Sequence, residues 1–277
     1  MKRIWPLICL CLAVFSSYGH ASPCEQDDYE LKVTGEDQCL IMRKYGDPQP
    51  DVMLVWIHGD VSSGGNANYH FPIAEKAIGE FPSQKVLSVA LVRPGYPDGA
   101  GNSSTVAFGH TGRRDHYTKK NVNEVGKAIA RLQAQFKPRE TVVIGHSGGA
   151  ATTAILLGML PQTVNKAVLV ACPCDLVAWR VGRQAWSASE NPIKWADRVA
   201  TESQVIALTG NRDDNTFPAL AQSYVETLRA RGIRAEFKEL ENESHNSAFR
   251  SPEIFDSIRK LLKGDLNPQV HRHETVH

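Results

Sequence analysis

Gly145-His146-Ser147-Gly148-Gly149 sets a serine at the centre of a G-x-S-x-G spacing, directly between a β-branched run ending at Ile144 and a helical run from Ala150 to Leu160. A serine hydroxyl attacks a carbonyl only when a base takes its proton, so the chemistry also requires a histidine and a carboxylate to orient it. Both are present downstream. Gly210-Asn211-Arg212-Asp213-Asp214-Asn215 follows the run Val205 to Thr209, and Glu241-Asn242-Glu243-Ser244-His245 follows the run Ala235 to Glu239. The G-x-S-x-G pattern alone arises by chance in roughly one chain in ten of this length, so position is what gives it weight. A sharp strand-to-helix turn needs glycines where backbones crowd, and it lifts the serine hydroxyl above the sheet. Its place at a helix N-terminus favours developing negative charge, and the Gly148 N–H supplies one oxyanion donor. The plainer alternative is an ordinary Gly-rich loop.

These groups converge only if several parallel strands carry them to one edge of a sheet. Short apolar runs at Val52 to Ile57, Val86 to Val92, Thr141 to Ile144, Ala167 to Ala171, Val205 to Thr209 and Ala235 to Glu239 alternate with helical periodicity. That alternation predicts a mostly parallel sheet with helices on both faces. Val122, Val125, Ile129, Leu132 and Phe136 form one helical stripe. A second helix is expected from Asn215 or Thr216, with Pro218 in its first turn, to Gly232, and a last one near Pro252 to Leu262. The runs Leu31 to Val33 and Leu40 to Met42 predict an N-terminal hairpin. With no repeat or linker, residues 22–277 are expected to form a single domain, with 264–277 as a flexible tail. The irregular stretch from Arg93 to Tyr117, which holds Tyr96, Phe108, His110, Arg113, Arg114 and His116, reads equally as a solvated loop or as a rim over the site.

Met1-Lys2-Arg3, an apolar run from Ile4 to Phe15 and Gly19-His20-Ala21 predict a signal peptide of residues 1–21, hence an exported, periplasmic or secreted protein. About twelve apolar residues interrupted by Pro6 fall short of the roughly 20 that span a bilayer, so no stable membrane insertion is expected. Cleavage removes Lys2 and Arg3 and turns a formal charge of +1 into −1, which speaks against nucleic acid as a partner. Four of six cysteines remain. Cys24 and Cys39 would bridge across the hairpin, whereas Cys172-Pro173-Cys174 reads equally as a bridge or as two free thiols. Metal binding at Cys172 and Cys174 lacks further ligands at useful spacing, and His271, His273 and His277 lie in a polar tail.

In its ordered motifs the chain resembles the α/β-hydrolase superfamily, from the hairpin to the final helix. The Gly210 to Asn215 segment and its spacing to His245 are most similar to the dienelactone-hydrolase and prolyl-oligopeptidase catalytic-domain branch. The resemblance implies an α/β-hydrolase fold with little or no lid and assigns the acid to Asp213, leaving Asp214 as a cap or supporting group. It departs from the pattern at Asn246, where a glycine is usual. Val55-Trp56-Ile57-His58-Gly59-Asp60 resembles the family's oxyanion loop, which implies the Asp60 N–H as second donor. An aspartate there would oppose an oxyanion, so its side chain is expected to point away or to be held by the loop Ser62 to Asn68. His58 reads first as a structural loop histidine. It is placed with Tyr96 of the Arg93-Pro94-Gly95-Tyr96 turn, His146 and Trp179 among possible pocket residues. Trp179, Trp186 and Trp195 read as pocket wall or core.

The expected reaction is hydrolysis of a carboxylic ester through an acyl-serine intermediate, with Ser147 as nucleophile, His245 as base and Asp213 behind it. It requires no metal and no organic cofactor; the partner is a small-molecule ester or a short peptide. Arg113 and Arg114 could attract an acidic substrate, although Asp115 dilutes them. A peptidase or amidase of the prolyl-oligopeptidase type is the first alternative, and a non-catalytic binding protein that keeps the fold is the second.

Overall fold

A computed structural model describes residues 24–25, 27–109 and 112–266. The expected signal segment 1–21, His110 and the tail histidines lie outside them. In chain order the elements are β1 (Lys32–Thr34), β2 (Cys39–Gly46), β3 (Val52–Ile57), α1 (Phe71–Glu80), β4 (Val86–Leu91), α2 (Lys119–Phe136), β5 (Glu140–His146), α3 (Gly148–Met159), β6 (Lys166–Val170), α4 (Leu176–Trp179), β7 (Gln204–Gly210), α5 (Pro218–Ala230), β8 (Arg234–Leu240) and α6 (Glu253–Lys263). They build one eight-stranded sheet in the order β1-β2-β4-β3-β5-β6-β7-β8. The β1–β2 and β2–β4 pairings are antiparallel and all the others parallel. This is the α/β-hydrolase arrangement that the motifs implied.

β3 and β4 are buried along their whole length, because helices cover both faces of the parallel part. Alternation divides the side chains: Met53, Val55 and Ile57 join a core with α2, α3 and α5, while Val52, Leu54 and Trp56 join one with α1 and α6. The predicted stripe on α2 packs inward through Val122, Val125, Ile129 and Leu132. α1 carried no motif and was not foreseen. Disulfides join Cys24 to Cys39, as expected, and Cys172 to Cys174, where the sequence left the choice open. Among the described residues no helix is long and apolar enough to cross a membrane.

The segment 172–200 contains only the single turn α4 and a 3-10 helix, Pro192–Arg198, so nothing there forms a separate lid. α5 begins at Pro218, two or three residues later than predicted, because Thr216 is drawn into hydrogen bonds with the acid loop instead of starting the helix.

Candidate active site

The carboxyl ends of the parallel strands bring the motifs to one edge. Ser147 connects β5 to α3 in a left-handed conformation (φ 51°, ψ −117°), a backbone state that a non-glycine residue holds only when its surroundings enforce it. The enforcement is steric. A Cβ at Gly145 would collide with the backbone of Gly149 and Ala150, and one at Gly149 with the carbonyls of Ile57 and His58. The flanking glycines therefore let α3 close onto β5 and β3, and the serine side chain faces outward into a cavity of about 1210 Å³ that is also lined by His245. Ser147 and His245 are not directly hydrogen-bonded to each other among the described residues.

His245 Nδ1 lies 2.9 Å from Asp213 Oδ2. Asp213 is buried and accepts the N–H groups of Asn215 and Thr216 at 3.0 and 2.8 Å, whereas Asp214 is exposed. Burial raises the Asp213 carboxyl, but its hydrogen bond to and the charge of His245, with the Thr216 N–H and hydroxyl, outweigh that and hold it below the usual carboxylate range. Thr216 itself is buried, with its hydroxyl 2.8 Å from Asp213 Oδ2, 3.0 Å from His245 Nδ1 and 3.0 Å from the Ala171 carbonyl. The sequence reading missed it; a threonine three residues after an aspartate, just ahead of a proline-started helix, was the available signal.

A second network, also missed, locks the elbow to the loop that carries the histidine. The Gly59 N–H donates to Tyr69 Oη at 2.5 Å, Tyr69 Oη–H to His146 Nδ1 at 2.7 Å, and His146 Nε2–H to the His245 carbonyl at 3.0 Å. Phe249 stacks on His146 with centroids 4.6 Å apart. Burial depresses His146 to about 3, so the ring is neutral and donates from one nitrogen only. His146→Ala is expected to lower kcat/KM about 10- to 100-fold by freeing the His245 loop, and His146→Gln, which can both accept and donate, to retain most of the activity. Steady-state kinetics of the two variants decides; equal losses would deny the tether.

The His-Gly turn after β3 passes beside the nucleophile: a Cβ at Gly59 would stand 3.1 Å from Ser147 Cβ. Among the described residues no hydrogen bond occupies the Asp60 or Gly148 N–H. Among the described residues no hydrogen bond ties the Asp60 side chain to the loop Ser62 to Asn68. Asp60 Oδ1 accepts from both terminal nitrogens of buried Arg93 at 3.0 Å, and its Oδ2 from Tyr117 Oη at 2.6 Å. Arg93 so neutralises the carboxylate beside the elbow, which is how the turn tolerates an acid.

Of the possible pocket residues, His146 and Trp179 line the cavity; His58 and Tyr96 are buried behind it. His58 donates from Nδ1 to the Gly59 carbonyl (2.6 Å) and accepts the Arg93 N–H (2.9 Å), and Tyr96 packs edge-on against it at 4.7 Å. The tryptophans split: Trp179 and Trp186 line the cavity, and Trp195 is core beneath α3. Arg114 and Asp115 of the Arg93 to Tyr117 stretch reach the rim, and Arg113 bonds the Val61 carbonyl.

His58, His70 and His146 are buried and held neutral, the latter two at about 3. The unfolded chain takes up protons at these side chains near pH 6.5 and the folded chain does not, so between about pH 6.5 and 3 the unfolded state binds more protons and stability falls with falling pH. Urea unfolding at pH 7, 5.5 and 4.5 is expected to show a progressively earlier midpoint; a constant one would contradict the neutral assignment.

Sheet order, elbow and loop placement define an α/β-hydrolase-fold serine hydrolase. The chain belongs to the prolyl oligopeptidase family (peptidase S9), whose sequence model matches residues 97–263. No curated protein matches its sequence. Solved structures similar to it include an esterase of Pyrococcus furiosus (16% identity, TM-score 0.61, 86% of this chain and 92% of that one). Est1E of Butyrivibrio proteoclasticus with ferulic acid bound is similar at 11% identity and TM-score 0.63, over 84% of this chain and 98% of that one. A serine hydrolase without lid from Xanthomonas campestris follows at 16% identity and TM-score 0.55, over 85% and 94%. At such identities the likeness is one of fold.

Proposed function

We propose that the protein hydrolyses a carboxylic ester through an acyl-serine intermediate. Ser147 attacks the carbonyl carbon while His245 takes its proton; Asp213 holds the imidazole in the required tautomer and stabilises its charged form; the Gly148 and Asp60 N–H groups receive the oxyanion. His245 then returns the proton to the leaving alcohol, and water, deprotonated by the same histidine, releases the acid. The observation that carries this is the left-handed Ser147 elbow opening into the cavity shared with His245, whose Nδ1 meets the buried Asp213.

Preference for an ester over a peptide amine terminus rests on the carboxylates of the cavity. Asp60 is committed to Arg93 and Tyr117, and Asp115 accepts the N–H groups of Ala188 and Ser189, so neither is left to hold an ammonium group. Family membership favours peptidase activity as the second reading. Matched 4-nitrophenyl esters and 4-nitroanilides separate the two: turnover of esters is expected, and turnover of anilides alone would sink the ester proposal.

Export belongs to the same proposal, supported by the Lys2-Arg3 start, the apolar run, Gly19-His20-Ala21 and the two disulfides. The mature protein, residues 22–277, is then a single domain whose N-terminal residue is Ser22; a secreted product that retains Met1 would refute cleavage.

A further inference from the structure

The same cavity has a charge asymmetry that catalysis does not need. Among the described residues, four arginines line it, Arg114, Arg180, Arg183 and Arg250, against two carboxylates, Asp60 and Asp115. Arg93 neutralises Asp60, and both oxygens of Asp115 accept backbone N–H groups. The chain as a whole is nearly neutral, so the positive excess is local to this mouth and not a general property of the surface.

Arg180 differs from the other three. It is half-buried, and its guanidinium stacks on two aromatic faces, 5.4 Å from the Trp179 centroid and 5.2 Å from that of Trp186. Its Nε donates to the Gln184 carbonyl at 2.9 Å. Among the described residues neither terminal nitrogen has a hydrogen bond and no carboxylate pairs with the group. Trp179 is itself anchored, its Nε1 donating to the Asn215 carbonyl at 2.8 Å, in the loop that carries Asp213. The guanidinium is thus fixed in plane and in distance relative to the acid loop while its outer edge stays open. That edge matches a carboxylate, which accepts two parallel N–H bonds, and because the arginine is already ordered little conformational entropy remains to be lost on binding.

We propose that Arg180 is a specificity-determining receptor for a carboxylate, and that the natural substrate is an ester that carries a second, anionic carboxylate group. Arg114, Arg183 and Arg250 are exposed; they raise the local potential that draws such a substrate in, a contribution that salt weakens. The aromatic faces of Trp179 and Trp186 form the apolar wall along which the rest of the substrate lies.

The proposal rests on the serine esterase reading, and one set of substrates tests both separately. 4-Nitrophenyl hexanoate is neutral; mono-4-nitrophenyl adipate places the carboxylate on an acyl arm of equal length, and 3-carboxy-4-nitrophenyl hexanoate places it on the leaving group. At low ionic strength one of the two anionic esters is expected to exceed the neutral ester in kcat/KM by about 10- to 100-fold, mainly through KM, and to lose much of that advantage in high salt. Arg180→Gln is expected to cost that anionic ester at least ten-fold more than it costs the neutral one; Arg180→Lys is expected to lie between, keeping charge without the planar fork. Arg139→Gln, at the opposite end of β5, controls for loss of a surface charge and leaves all three rates unchanged. Turnover of the hexanoate with no preference for either anionic ester, or equal losses on all three esters in both Arg180 variants, overturns the carboxylate site alone. Failure to hydrolyse any ester overturns the esterase reading and the carboxylate site with it.

Discussion

Ser147→Ala is expected to lower kcat for ester hydrolysis by roughly 10⁶-fold, the largest effect of any single change in this chain. The attacking oxygen disappears, and the oxyanion donors and cavity that remain give only the residual acceleration of a bound, unactivated ester. Stability should be little altered, because the left-handed turn is enforced by the packing of Gly145 and Gly149 against neighbouring backbone and not by the hydroxyl. Purified variant and wild type compared by initial rates and thermal unfolding give the answer directly. A variant with an unchanged Tm that keeps more than about one hundredth of the rate would mean that another group performs the attack.

Asp213→Asn is expected to cost about 10⁴-fold in kcat. An amide in place of the carboxylate can point a donor at His245 Nδ1, which drives the imidazole into the tautomer whose other nitrogen can no longer accept the serine proton. Thr216 sharpens the effect, since its N–H and hydroxyl keep the side chain at position 213 pointed at the histidine. Asp214→Asn is the matched control. That side chain is exposed, so its loss should change kcat less than about three-fold. If the large loss appeared at Asp214 and not at Asp213, the assignment of the acid would be wrong.

The sequence disclosed the features written in local pattern. The six parallel strands were readable as β-branched runs, the elbow as a G-x-S-x-G between strand and helix, and the loops of Asp213 and His245 as the segments directly after their strands. Those signals are periodic or punctuated by turn residues, so a single pass along the chain finds them. What stayed hidden depends on contacts between distant residues. Tyr69 and His146 are 77 positions apart, and Asp60 finds Tyr117 at a separation of 57; neither pair leaves a periodic trace. Arg93 was visible at the end of its strand, but only the fold shows that its buried guanidinium answers the acid at position 60. Arg180 carries no signal of its own in the sequence; only the fold sets its guanidinium on Trp179 and Trp186. The start of α5 was misplaced for a related reason: Thr216 is a good helix starter by propensity, and tertiary hydrogen bonds to Asp213 and His245 claim it first.

The most direct test of the central claim is to trap the covalent intermediate. Wild-type protein mixed with a slowly deacylating ester such as 4-nitrophenyl trimethylacetate, quenched in acid during turnover and digested, should yield one acylated peptide, with the added mass on Ser147 and a stoichiometric burst of nitrophenol. An adduct on another residue, or ester turnover with neither burst nor adduct, would contradict the acyl-serine mechanism.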